Sequence, residues 1–126
     1  MERKQKDDAG GEKEVSGWDW VLSFQDKFYP NWKIDKPRLL FSTALAGEVG
    51  EVCGVVTHID GGGTNNKKYT EKMVLHQCVD SYIQLILLMA RSGFTESDFL
   101  AEFELVKMEL KDRLIEKMKK EGTLAT

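Results

Sequence analysis

Several features that define whole classes of protein are absent or scarce in this sequence of 126 residues. The longest uninterrupted apolar run is 85–90, whereas a helix needs about 20 apolar residues to span a bilayer. No apolar segment follows the charged stretch 1–6, so no secretory signal is expected. Two cysteines cannot build a disulfide framework, and a formal net charge of −3 disfavours nucleic-acid binding. The expectation is a cytoplasmic protein with neither a membrane nor a nucleic acid as partner.

The composition that remains is that of an ordinary globular domain. Hydrophobic residues make up 41% of the chain and charged residues 31%, and the length suits one domain. Nine of the first fifteen residues are charged, so this segment cannot bury enough surface to offset its ordering entropy. We therefore predict a flexible charged tail over residues 1–15 and a folded helical domain over residues 16–122.

Helical spacing of the apolar residues predicts an all-α protein with four helices and no strand. Ser16 is the expected N-cap of the first helix, and Pro37 is tolerated in the first turn of the second. Asp98 stands at the capping-box position for Thr95, before the fourth helix. The predicted helices cover residues 17–28, 35–58, 70–93 and 95–120.

The third predicted helix is apolar over more than half of its circumference. A helix in a small monomeric bundle needs an apolar stripe only about 100° wide, so the surplus predicts a dimer or a larger assembly. The alternative is that this helix lies at the centre of a monomer. The residues concerned are Leu75, Cys78, Val79, Tyr82, Leu85, Ile86, Leu88 and Met89.

The second and third predicted helices carry acidic residues on sides where apolar residues are expected. Glu48 and Glu51 project about 60° apart within the apolar stripe of the second helix. Burial of two unpaired like charges is costly, and a hard divalent ion such as Mg²⁺ or Mn²⁺ would compensate for it. Antiparallel packing of the two helices would bring Gln77 and Asp80 to the same cavity. Alternatively, the glutamates lie at a solvated edge and Asp80 makes a structural ion pair.

These residues resemble a family motif. The run Ala44-Leu45-Ala46-Gly47-Glu48-Val49-Gly50-Glu51-Val52, followed by Val79-Asp80, resembles the MazG-like all-α nucleoside triphosphate pyrophosphohydrolases, which include dCTP pyrophosphatases and dimeric dUTPases. The family signature is E-x-x-E, a spacer, and E-x-x-D. Upstream, Trp32 and Lys36-Pro37-Arg38 also resemble the stretch that precedes the motif in the dCTP pyrophosphatase branch, and the resemblance extends over residues 18–114.

The resemblance implies a four-helix protomer that forms dimers or tetramers, and a reaction that depends on Mg²⁺ or Mn²⁺. A nucleoside triphosphate, here expected to be a deoxyribonucleotide, would be cleaved to the monophosphate and pyrophosphate. Glu48, Glu51 and Asp80 would be catalytic and, together with Gln77, would hold the metal.

Three further residues are candidates for binding the substrate. Lys107 and Lys111 lie where family members place basic residues that meet phosphates, although a solvated charged face is an equally good explanation. Trp32 is the best candidate for stacking on the base, with a place in the core as the alternative. The glycine-rich loop 60–68 lacks the P-loop pattern.

Gln77 departs from the family pattern, because its neutral carbonyl cannot act as a charged ligand or base. A catalytically weakened member that binds nucleotides or serves as an oligomeric partner module is therefore the alternative. Phosphoribosyl-ATP pyrophosphatase, which shares the helical motif, ranks lower. Zinc is disfavoured because neither Cys53 with His58 nor His76 with Cys78 can chelate one ion on a regular helix, so both cysteines are expected in the core.

Overall fold

The computed structural model describes residues 3–6, 12–61 and 68–122; for residues 3–6 and 12–14 it describes the backbone alone. The described chain is all-α apart from two short strands near its start. The elements are β1 Arg3–Lys6, β2 Glu12–Val15, α1 Gly17–Phe28, α2 Trp32–Asp35, α3 Arg38–Asp60, α4 Glu71–Arg91 and α5 Glu96–Lys120. The chain divides into two compact units, Met1–Gly93 and Phe94–Thr126.

Strands β1 and β2 pair antiparallel, with Arg3 opposite Val15 and Lys6 opposite Glu12. No strand was expected here, because most residues of the segment are charged and no apolar residues alternate along it as a strand prediction requires. The flexible tail over residues 1–15 stays a prediction, and residues 1–2 and 7–11 lie outside the described ranges.

Local hydrogen bonds fix where two of the long helices begin, as the sequence predicts. The Ser16 hydroxyl accepts a hydrogen bond from the backbone N–H of Asp19 at 3.1 Å. At α5, the Asp98 backbone N–H donates to the Thr95 hydroxyl at 3.2 Å, and the Asp98 carboxylate accepts from the Thr95 N–H at 2.8 Å. Such caps satisfy N–H groups that have no partner within the helix, so these boundaries are set locally.

The second predicted helix, by contrast, is divided at Pro37. Lys36 is extended, with φ −101° and ψ 127°, because the proline ring disfavours the helical conformation of the residue before it. One short turn, α2, therefore ends at Asp35, and α3 begins only at Arg38. The prediction of a single helix from residue 35 was wrong, and the described chain has five helices rather than four.

Helices α3 and α4 form the main packed pair of the first unit, and they run antiparallel. Near the end of α3, the ring of His58 stacks on that of Tyr69, just before α4, with centroids 4.3 Å apart. At the opposite end, Nε of Arg91 donates to the backbone carbonyl of Lys36 at 2.7 Å. Because residues at both ends of the pair meet in this order, the middle of α3 lies beside the middle of α4.

The core of the first unit gathers apolar residues from α1 to α4. Trp32 is among its most deeply buried side chains, with 1% of its surface exposed, and it packs edge-on against Phe41 at 5.4 Å between ring centroids. On α1, Phe28 is exposed, and its ring is the last in a row of contacting rings that begins with Trp20 and continues with Phe24. The buried apolar residues are Trp18, Val21, Trp32, Phe41, Val55, Ile86, Leu87 and Ala90.

Much of the apolar surface of α4 lies exposed. Leu75 is 64% exposed, and Val79, Tyr82 and Leu85 are exposed as well. Helices α3 and α4 are each long and apolar enough, by length and composition, to cross a membrane, a property that core helices of soluble proteins share. The surplus of apolar residues noted in the sequence is thus present as surface, and the assembly that would cover it stays a prediction.

Helix α5 makes up most of the second unit, and none of its residues is buried. Phe99 and Phe103 contact each other with ring centroids 6.0 Å apart. Val106, Leu110 and Leu114 follow at helical spacing, and all three are exposed. Of the glycine-rich loop 60–68, residues 62–67 lie outside the part that the structure describes.

Candidate functional site

The candidate site lies midway along the α3–α4 pair, where each helix contributes two of the predicted residues. Glu48 and Glu51 are one turn apart on α3; Glu48 is half-buried and Glu51 is exposed. Gln77 and Asp80 occupy the corresponding turn of α4, and both are half-buried. The predicted metal ligands therefore come from two neighbouring helices, with the α3 residues on the side that also carries the buried Phe41.

One carboxyl of the site, that of Glu48, is affected by charges on both helices. Desolvation raises the pKa of Glu48 above its usual value near 4.5, and the negative charges of Glu51 and Asp80 raise it further. The Glu51 side chain also lies within hydrogen-bonding reach of Glu48, while His76 acts in the opposite direction. The Asp80 charge thus acts from α4 on a carboxyl of α3, in agreement with the antiparallel packing of the two helices.

Two oxygen atoms of the site lie hidden from solvent. Within the described residues, Glu48 Oε2 and Gln77 Oε1 are buried and accept no hydrogen bond. A buried acceptor without a partner is costly, and native proteins satisfy most such atoms with protein groups, water or ions. Each helix therefore carries one oxygen that a donor group or a cation would stabilise.

The Asp80 carboxylate contacts the imidazole of His76. His76 Nε2 lies 3.5 Å from Asp80 Oδ2, one turn away on α4, and the His76 side chain is 73% exposed. This contact agrees in part with the alternative in which Asp80 makes a structural ion pair. Over the described ranges, however, no lysine or arginine pairs with Glu48, Glu51 or Asp80, so the acidic character of the site is not neutralised by a fixed protein cation.

The donor chemistry of the site fits a hard cation, although the site is not a ready-made cage. Among the described residues, no group of three or more His, Cys, Asp or Glu side chains is arranged to hold a metal ion. Mg²⁺ is commonly bound through one or two carboxylates, waters and substrate phosphates rather than by an all-protein cage. The two unpartnered oxygens, one carboxylate and one amide carbonyl, are ligands of the type that Mg²⁺ and Mn²⁺ accept.

The contacts of the predicted substrate-binding residues give less support for their predicted roles. The indole N–H of Trp32 donates to Asp26 Oδ1 at 2.7 Å, and the ring is buried. A ring covered in this way has no free face for a nucleobase, so base stacking by Trp32 stays a prediction that requires the ring to become accessible. Lys107 pairs with Glu104 at 3.0 Å, and both Lys107 and Lys111 are exposed on α5, within the second unit.

Some features of this region were not predicted from the sequence. The only feature of the sequence that relates to the stacking of His58 on Tyr69 is that these two aromatic residues flank the glycine-rich loop. The contact between His76 and Asp80 follows from their spacing of four residues, which places them on one side of a helix. Both Cys53 and Cys78 are exposed, so the expectation that they belong to the core was wrong.

Comparisons of this chain with protein-family models, with curated proteins and with solved structures find no match. What can be said of its chemistry therefore depends on its own residues and their contacts.

Proposed function

We propose that this protein is a metal-dependent nucleoside triphosphate pyrophosphohydrolase that cleaves a nucleoside triphosphate, such as a deoxyribonucleotide, to the monophosphate and pyrophosphate and so controls nucleotide pools. The observation that carries the proposal is the approach of Glu48, Glu51 and Asp80 across the α3–α4 pair, with unpartnered oxygens on both helices. The resemblance of residues 44–52 and 79–80 to the MazG-like family supports the same assignment.

In this proposal Glu48, Glu51, Asp80 and Gln77 hold Mg²⁺ or Mn²⁺. When bound, the ion neutralises charge on the phosphates and acidifies a coordinated water. The residues themselves position the triphosphate and handle protons. Desolvation and the neighbouring charges of Glu51 and Asp80 raise the pKa of Glu48 above its usual value, and this makes Glu48 a stronger proton acceptor than a glutamate in water.

The test is an assay of ribo- and deoxyribonucleoside triphosphates with Mg²⁺ and with Mn²⁺, in which pyrophosphate and inorganic phosphate are measured separately. The expected products are monophosphate and pyrophosphate. Glu48→Gln should lower turnover by about 100-fold or more, since it removes a charged ligand and proton acceptor. Glu109→Gln, on the exposed surface of α5, is the matched control and should retain activity. Release of inorganic phosphate alone would show that a different bond is cleaved.

A second candidate is a catalytically weakened member of the same family that binds nucleotides or acts as an oligomeric partner module. Gln77 favours it, because this residue adds a neutral oxygen where the family motif has a carboxylate. Gln77→Glu separates the two: a marked gain in pyrophosphate release indicates a weakened site, and a loss or no change indicates a site adapted to glutamine. Tight binding of one nucleotide without turnover would favour the module.

We further propose that the protein is cytoplasmic and forms a homodimer or homotetramer, with no membrane or nucleic acid as partner. The exposed apolar residues of α4 support the assembly. Although α3 and α4 are long enough to cross a bilayer, Glu48, Glu51 and Asp80 would each cost about 3 kcal/mol at its centre. A bundle in water avoids that cost.

A further inference from the structure

Helix α5 has one apolar side, and that side is largely exposed. None of the residues of α5 is buried, and Phe103, Leu110 and Leu114 each expose more than half of their surface. Most of the stability of a helix in a protein comes from the packing of such a side, so an uncovered one calls for a partner. The residues of this side, which we call the α5 stripe, are Phe99, Phe103, Val106, Leu110 and Leu114.

The charges of α5 are divided between its two ends. Over residues 96–104 the helix has four acidic residues and no basic one, whereas over residues 105–120 it has six basic and three acidic residues. A second α5 in the antiparallel direction would place each acidic end beside a basic end, and a parallel one would place like charges together. An anionic lipid surface would repel the acidic end. The charges therefore favour a second, antiparallel copy of α5 as the partner.

We infer that α5 of one copy of this chain packs antiparallel against α5 of a second copy, stripe against stripe. The α5 stripe extends from residue 99 to residue 114, so its centre lies beside Val106. A two-fold axis at this point places Phe103 of each copy opposite Leu110 of the other. It likewise places Phe99 opposite Leu114, so each aromatic ring meets a leucine.

The α5 pair deepens the assembly that the proposed function includes, and it rests on that assembly. A stable interface takes about 20–30 residues from each partner, far more than the α5 stripe offers. Once the exposed surface of α4 holds the copies together, the two stripes have a high effective concentration, and their pairing becomes favourable without further contacts. The α5 pair therefore strengthens an assembly that α4 initiates.

Disulfide formation between introduced cysteines tests the pairing and its direction. Cys53→Ala and Cys78→Ala first remove the native thiols, both of which are exposed. In this background, Phe103→Cys and Leu110→Cys chains are refolded together from urea and oxidised with copper phenanthroline, and intact mass spectrometry identifies the linked pairs. Because a disulfide needs Cα atoms within about 7 Å, we expect mainly the mixed disulfide between positions 103 and 110. Met108→Cys, on the opposite side of α5, is the control and should stay reduced.

A second measurement needs no cysteine. Val106→Asp places a charge at the centre of the α5 stripe, so the apparent dissociation constant of the assembly in sedimentation equilibrium should rise about 10-fold or more. Met108→Asp adds the same charge to the opposite, exposed side of the helix and should associate as the parent does. Far-ultraviolet circular dichroism checks that both variants keep their helices.

The outcomes separate this inference from the proposals on which it rests. Disulfides that join like positions would show parallel helices, and no disulfide in a protein that light scattering shows to be oligomeric would leave only the assembly through α4; either result overturns the α5 pair. A monomeric parent overturns the pair and the assembly together. Binding to phosphatidylserine vesicles without the mixed disulfide assigns the α5 stripe to a lipid surface and also overturns the pair.

Should the cysteine variants fail to fold, equal dissociation constants for Val106→Asp and Met108→Asp overturn the pair instead. Nucleotide turnover is measured separately, so a protein that forms the mixed disulfide without cleaving nucleotides refutes the proposed enzyme activity alone.

Discussion

The hydrogen bond between Trp32 and Asp26 allows a direct test of whether Trp32 is structural. Trp32→Phe keeps an aromatic ring in the core and removes the indole N–H that donates to Asp26 Oδ1 at 2.7 Å. A hydrogen bond to a charged group contributes about 1.5–3 kcal/mol, and solvent around the exposed Asp26 moves the value towards the lower end. The smaller ring also leaves some volume unfilled beside Phe41, where the indole packs edge-on.

We therefore expect Trp32→Phe to lower the free energy of unfolding by about 2 kcal/mol, measured by urea denaturation followed by far-ultraviolet circular dichroism. Asp26→Ala and the double variant complete a cycle, in which the coupling energy should exceed about 1 kcal/mol. Nucleotide affinity of the folded Trp32→Phe protein should be unchanged. A coupling energy near zero, or a loss of nucleotide affinity at unaltered stability, would refute the structural assignment and favour a ring that reaches the substrate.

Three other substitutions probe separate parts of the molecule. The Glu48→Gln protein should be more stable than the parent at neutral pH, measured by chemical denaturation without metal. Folding raises the pKa of Glu48, so the parent protein loses stability as the pH rises from the usual value near 4.5 through the raised pKa. The difference in stability should therefore vanish below pH 4.5, and a difference that does not change with pH would contradict this reasoning. Thr95→Ala should cost about 0.5–2 kcal/mol of unfolding free energy by removing the cap of α5, whereas Thr95→Ser should restore most of it. Leu75→Lys, on the exposed apolar surface of α4, should reduce the molar mass found by light scattering to that of a monomer, and an unchanged mass would remove this surface from the interface.

Much of the secondary structure could be predicted because its signals are local. The caps at Ser16 and Thr95 involve residues three positions apart, and the apolar spacing of the long helices is a property of a single segment. The division at Pro37 was missed because proline is compatible with the first turn of a helix as well as with the residue before one. The sequence pattern alone does not decide between these two positions.

The candidate site was partly predictable for a different reason. Glu48 and Glu51 stand out because charges within an apolar stripe need compensation, and their proximity to Asp80 follows once antiparallel packing is assumed. The environment of Trp32 depends on a turn in which Asn31 adopts a left-handed conformation with φ 66°, which brings the indole to Asp26. Hydrophobicity cannot separate a buried tryptophan from one that binds a base, since both need an apolar ring.

Two contacts connect opposite ends of the α3–α4 pair, and the chain segments that they enclose differ greatly in length. We expect this difference to determine which of the two contacts forms first during folding. His58 and Tyr69 are near neighbours in sequence, whereas Arg91 and Lys36 are 55 residues apart. Closing the longer segment from the unfolded chain costs about 1.4 kcal/mol more in entropy than closing the shorter one. The contact between His58 and Tyr69 should accordingly form first, and the contact between Arg91 and Lys36 last. A substitution that weakens the ring stack should therefore slow folding, whereas loss of the arginine contact should mainly speed unfolding.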